Sequence, residues 1–303
     1  ARDNTSPGKG GGVYAVDTTV VLDAATLRDN AASFDGGGLY GLRARVTLTS
    51  ATISGNSAAV DGGGLALRDA TSTLSIEGGT ITANTAGGRG GGLFAEAGTV
   101  SLNGVTVSQN RAAHGGGAAN AGATLAVSGT TFNANRTTAA TGLGGGLLNE
   151  SGAATITGTI FSGNQATDGG GLGVAAGEVA VTSGQFSGNR ASGGNGGAAV
   201  TTGGTLTISA AALSGNEAAF GGALAVSSGN VTLRASTVRD NRAGDGGGLA
   251  AGLNGAMAIA NSTLNGNQAS VSGGGLVNAG AMTLDNVTVS GNSAGASGGG
   301  AQN

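Results

Sequence analysis

At 303 residues the chain has the length of one or two globular domains, but 66 residues are Gly and only 3% are aromatic, so the sequence is either low in complexity or periodic. The lack of Cys excludes disulfides and thiolate metal sites. A net charge of −3 with 10% charged residues argues against a nucleic-acid partner, and no apolar run is long enough for a membrane-inserting helix.

In chain order, Ala1 to Asn4 reads as the tail of one unit, and a phrase then begins that recurs to the end. Its clearest form is ISGNSAAVDGGGLAL at 53–67, which returns as FSGNQATDGGGLGV from Phe161 and VSGNSAGASGGGA from Val289. With the Asn of SGN as anchor, the series is Asn4, Asn30, Asn56, Asn84, Asn110, Asn135, Asn164, Asn189, Asn216, Asn241, Asn267 and Asn292. The intervals run from 25 to 29 residues, within the range of solenoid repeats. A Gly triplet follows each anchor after 5 to 9 residues, and the next anchor follows the triplet's first Gly after 20 residues in eight of eleven units. One corner therefore accepts insertions while the rest of the unit is fixed in length.

Within each unit the positions three, eight and ten residues before the anchor are apolar throughout, as in Val46, Leu48 and Ile53. Small or polar residues such as Thr47 and Ser101 separate the last two. A spacing of two is the strand period, not the helical one. Four residues before the anchor, eight of eleven positions are Thr, suited to an exposed strand face. The pattern predicts an all-β fold, a right-handed parallel β-helix of about 11 coils of about 26 residues, with three short strands per coil. The glycines are expected at corners that need positive φ or close approach of neighbouring coils. The asparagines are expected to stack as an amide ladder.

The alternation of GGAL, literal at Gly221–Leu224, with FxxN, literal at Phe132–Asn135, Phe161–Asn164 and Phe186–Asn189, resembles the repeats of chlamydial-type polymorphic outer-membrane proteins. More broadly the chain resembles the right-handed β-helix passengers of autotransporters and adhesins. That resemblance covers essentially all 303 residues. It implies export, an extracellular or bacterial cell-surface location, and a structural or adhesive stalk or filament. Both ends fall inside a unit, so residues 1–303 are expected to be one β-helix segment, uncapped at both ends, of a longer chain.

Stacking the units places candidate chemistry in columns. Asp35 and Asp61 share the position before the triplet and are either two solvated carboxylates at a turn, with no metal or cofactor expected, or a pair that holds a cation, calcium being the ion that resemblance to pectate-lyase-type β-helices implies. No column gathers three carboxylates beside an Arg or Lys, so a polysaccharide-binding or polysaccharide-cleaving enzyme is the alternative to a non-enzymatic shaft. His114 is the sole His and is expected in a loop, so neither a His-based metal site nor a Ser-His-Asp triad is expected within this chain. Asp17, Arg43 and Asp69 form an alternating-charge ladder. Arg111, Arg136, Arg190 and Arg242 follow the anchor and form a basic stripe, either a grip for an acidic surface glycan or a polar edge in which Glu217 neutralises its neighbours. Phe132, Phe161 and Phe186 share an aliphatic column and are expected to stack in the core. Tyr14, Tyr40 and Phe94 alternate outward and are expected as exposed aromatics that meet sugar or a neighbouring rod, self-association being the expected partnership.

Overall fold

From Leu27 to Leu264, every residue of the three apolar columns is buried, and these side chains belong to one continuous core of 51 buried residues. The computed structural model describes residues 1–303 as a right-handed β-solenoid of about 11 turns, all strands pairing in parallel with the equivalent strand one coil away. Phe132, Phe161 and Phe186 stack inside it with ring centroids 5.0 and 4.7 Å apart.

One coil shows how sequence becomes backbone. After the triplet come Leu39–Leu42, then Arg45–Thr49, then Thr52–Ser54, and the anchor Asn56 follows. The structure adds a fourth strand of two residues, Ser57–Ala58, immediately after the anchor. Within Arg45–Thr49, Val46 and Leu48 point inward while Arg45 and Thr49 are exposed, as a strand with one buried face requires. The first two strands of every coil join a 21-stranded sheet, and the strand before the anchor builds an 11-stranded one.

Three corners recur, each with one residue in the left-handed region. They fall at the first triplet Gly (Gly36, φ 69°), six residues before the anchor (Ser50, φ 49°) and just before the anchor (Asp29, φ 54°). Sixteen left-handed residues are not Gly, and each such position costs about 1 kcal/mol or more. Positive φ is not the whole reason for the triplet. At Gly37, whose φ is ordinary, a Cβ would collide with the carbonyl oxygens of Ser57 and Gly63, so the middle glycine is there because neighbouring coils approach too closely for any side chain.

The anchor asparagines form the ladder expected from their spacing. Eleven consecutive Nδ2–Oδ1 hydrogen bonds of 2.8–3.0 Å run from Asn4 to Asn292. Each Oδ1 from Asn30 onward also accepts from the backbone N–H of the preceding anchor, as Asn84 accepts from Asn56 at 2.9 Å. Each Nδ2 from Asn56 onward also donates to a carbonyl one coil back, as Asn56 does to Leu27. A shorter pair lies inside the core, where Asn120 donates to Asn149 Oδ1 at 2.8 Å and accepts from the Ala123 N–H.

Candidate functional site

The corner before the triplet and the outward face of the strand after it meet along one side of the rod. Asp35 and Asp61 occupy that corner in adjacent coils and are buried, at 4% and 2% exposure. They do not stand alone. Arg68, at the end of Leu65–Arg68, turns back so that its Nη2 lies 3.1 Å from Asp35 Oδ1 and 3.0 Å from Asp61 Oδ2. Its Nη1 reaches Glu96 Oε1 at 2.7 Å. Arg89, in the corner column itself, binds Asp61 Oδ2 at 2.8 Å and Glu150 Oε2 at 2.9 Å. Lys9 completes the row, 3.5 Å from Asp35 Oδ2 and 3.0 Å from the Tyr40 hydroxyl. Three cations thus face four carboxylates in one connected network.

The electrostatics favour that charge state. Burial works to lower the pKa of both Arg68 and Arg89 but is outweighed. For Arg68 the opposing charges are Asp35 and Glu96, and for Arg89 the hydrogen bond and charge of Asp61 lead, so both pKa values rise. For Lys9 the hydrogen bond to Tyr40 dominates and the ammonium is likewise favoured. Arg68 Nη2 sits between the two carboxylates, so Asp35 and Asp61, read from sequence as solvated carboxylates or a cation-holding pair, are joined in an internal salt-bridge node.

The aromatic column needs correction. Tyr14 is exposed (60%), but Tyr40 and Phe94 are fully buried. They do point away from the main core, as alternation requires, yet the side chains of the charged network close over them. The Phe94 ring lies under two guanidiniums, with Cζ of Arg68 4.7 Å and Cζ of Arg89 4.5 Å from its centroid. Tyr14 stacks on Tyr40 at 5.5 Å. Of the three, only Tyr14 offers a surface ring.

Arg68, Glu96, Glu150 and Lys9 were not among the residues singled out from sequence. Arg68, Glu96 and Glu150 lie two residues beyond the outward position held by Ala66, Phe94 and Leu148, so strand alternation puts them on the same face. That column carried the signal. The reach of Arg89 to Glu150, 61 residues away, carried none.

The basic stripe lies on a different corner, beside the buried Asn ladder. Arg111 and Arg136 are directly paired in register and exposed. They border a shallow depression of about 570 Å³ with Thr85, Gln109 and Gln165. Arg190 pairs with Glu217 at 3.3 Å. Arg242 is joined to Glu217 through backbone only, so Glu217 neutralises one neighbour and not both. Elsewhere Arg43 grips Asp17 through two bonds of 2.6 and 2.7 Å, and Asp69 accepts from Thr71 instead of completing the charge ladder. Further along the rod, small outward residues Ala225 and Ala250 leave an apolar groove of about 340 Å³ beside Phe220 and Leu253.

A family model described as right handed beta helix region matches residues 142–294. The chain belongs to that family. No curated protein and no solved structure matches it. The matched segment begins at the insertion before Gly144 and includes the Phe161–Phe186 stack and six ladder asparagines. The repeat continues in register from there back to Asn4, so the right-handed β-helix extends well beyond the matched region.

Proposed function

We propose that this β-helix is a structural shaft of an exported bacterial protein, displayed at or beyond the cell surface, holding binding surfaces at a distance through length and rigidity. The observation that carries the reading is where the polar residues go. The twelve anchor asparagines are bonded to one another through eleven unbroken steps. The buried carboxylates at the corner are bonded to the chain's own guanidiniums. These groups are spent on axial stiffness, and a solenoid whose coils contact only their neighbours derives rigidity from such repeated steps. The likeness of its phrases to surface-protein repeats supports the exported setting.

The test is twofold. Electron microscopy of the purified protein should show rods whose length includes a stiff stretch of about 50 Å for these coils. Incubation with polygalacturonate and calcium should give no rise in unsaturated product absorbance. Calcium-dependent turnover that Arg68→Met or Asp61→Asn abolishes would replace the shaft with a polysaccharide-cleaving enzyme.

A further inference from the structure

We propose that the groove around Arg111 and Arg136 binds a linear polysaccharide carrying carboxylate or sulfate groups, lying along the rod axis. The inference does not depend on the shaft reading, since an enzyme could carry the same groove.

Four observations converge there. Arg111 and Arg136 are Cα partners on adjacent strands, which places like charges side by side, an unfavourable arrangement without an anion between them. Neither takes part in any ion pair of the rod, whereas Arg190, two coils beyond Arg136, is held by Glu217. The surroundings supply no compensation. Across the five coils anchored at Asn84, Asn110, Asn135, Asn164 and Asn189, the two positions before and the one after each anchor contain no acidic residue. Finally, the surface is concave on both sides of Arg136. The main depression lies toward Arg111 and Gln109, and a second of about 130 Å³ lies toward Thr138 and Thr167. The longest insertion in the repeat, nine residues from Asn135 to Gly144, falls beside that second depression.

The lining selects the ligand class. Two guanidiniums one coil apart suit anions repeating along the axis, with carboxylate or sulfate accepting paired N–H bonds. Gln109, Gln165 and Thr85 present amide and hydroxyl groups on the same surface, matched to the hydroxyls of a sugar chain. A nucleic acid would draw on stacking aromatics and a broad positive field. This groove has no aromatic, and the chain's net charge is −3.

Calorimetric titration at low salt with polygalacturonate, dextran sulfate and neutral dextran tests the proposal. The protein should bind one or both anionic polymers and not neutral dextran. Binding of polygalacturonate alone assigns a uronate, and binding of dextran sulfate alone assigns a sulfated chain. The double variant Arg111→Gln/Arg136→Gln should weaken binding at least about tenfold, with an unchanged thermal midpoint showing that the rod is intact. Arg43→Gln, on a different corner of the rod, should leave binding within about twofold. The proposal is overturned if neither anionic polymer binds, if neutral dextran binds equally, or if the double variant binds like the wild type. Equal binding of single-stranded DNA would also overturn it.

Discussion

Asn164 Nδ2 donates to Asn189 Oδ1 at 2.9 Å, and Asn189 Oδ1 also takes the Asn164 backbone N–H at 3.1 Å. One side-chain oxygen thus serves two donors from the preceding coil, and the ladder is a backbone cap as much as an amide stack. In turn Asn164 Oδ1 accepts from the Asn135 N–H and Nδ2, both at 3.0 Å, while Asn164 Nδ2 serves the Phe132 carbonyl. Asn164→Ala removes every bond made by the Asn164 side chain inside a fully buried site and leaves only the backbone N–H on Asn189 Oδ1. The expected cost is about 3 kcal/mol, since unpaired buried groups cost about 1–3 kcal/mol each. Repeat arrays need not unfold in one step, so the sharper readout is local. Hydrogen exchange at the Asn135 amide should accelerate about a hundredfold. Unchanged exchange there would mean that the ladder is ornamental.

Arg68 answers to two buried carboxylates at once, which makes it the costliest charge in the rod to delete. Arg68→Met keeps much of the apolar stem against Phe94 but leaves Asp35 with Lys9 alone and Asp61 with Arg89 alone. Removal of one partner from a buried pair typically costs about 3–5 kcal/mol. With partners remaining on both carboxylates, the expected loss is at the lower end. Adding Asp35→Asn should restore part of it, because the uncompensated charge leaves with the carboxylate. A urea-midpoint series over the two single variants and the double variant measures this coupling, and strictly additive shifts would refute it.

The fold was legible because a solenoid writes its contacts into a period. Val46, Leu48 and Ile53 recur at fixed distances from Asn56, and alternation alone assigns them to the core. Phe161 could be placed inside because its column neighbours are aliphatic. Alternation also sent Tyr40 and Phe94 outward, correctly as to direction, but direction is not exposure. What covers Phe94 is Arg89, from a corner five residues upstream whose path depends on insertion length, and Arg68, from the coil before. The same limit hid Arg68 between Asp35 and Asp61. Column reading compares a position with itself in other coils, whereas Arg68 reaches across columns. The two-residue strand at Ser57–Ala58 was hidden by its brevity, too short for any periodicity to register.

Asp17 offers a site-specific test of the surface ladder. Its hydrogen bonds to Arg43, followed by the guanidinium charge, pull its pKa below the ordinary 3.8. A carboxylate depressed in the folded state contributes stability above its unfolded value, and that contribution disappears as pH falls through the folded value. Carbon NMR titration should therefore place the Asp17 midpoint below 3.8. In Arg43→Gln it should return toward 3.8. Salt should move the wild-type midpoint the same way, because the pair is fully exposed and screened. A midpoint indifferent to both would mean that the pair does not persist in solution.

Ala210 and Gly37 separate the two roles of glycine in this fold. Ala210 sits at the corner six residues before its anchor with φ 51°, where the coils of Gly104, Gly129 and Gly158 already carry glycine. It is solvent-exposed, so Ala210→Gly removes left-handed strain and little else. Relief of about 1–2 kcal/mol is offset by about 0.5–1 kcal/mol of added chain entropy, which leaves a gain of up to about 1.5 kcal/mol. Gly37 has no positive φ to relieve, and Gly37→Ala drives a methyl into the carbonyls of Ser57 and Gly63. Overpacking of this kind costs about 1–3 kcal/mol. Here the obstacles are backbone atoms of the neighbouring coil, so the upper end is expected. Thermal midpoints of the two variants should move in opposite directions. If Gly37→Ala were neutral, coil spacing would have to be softer than its hydrogen bonds imply. The glycine triplet would then serve only to turn the chain.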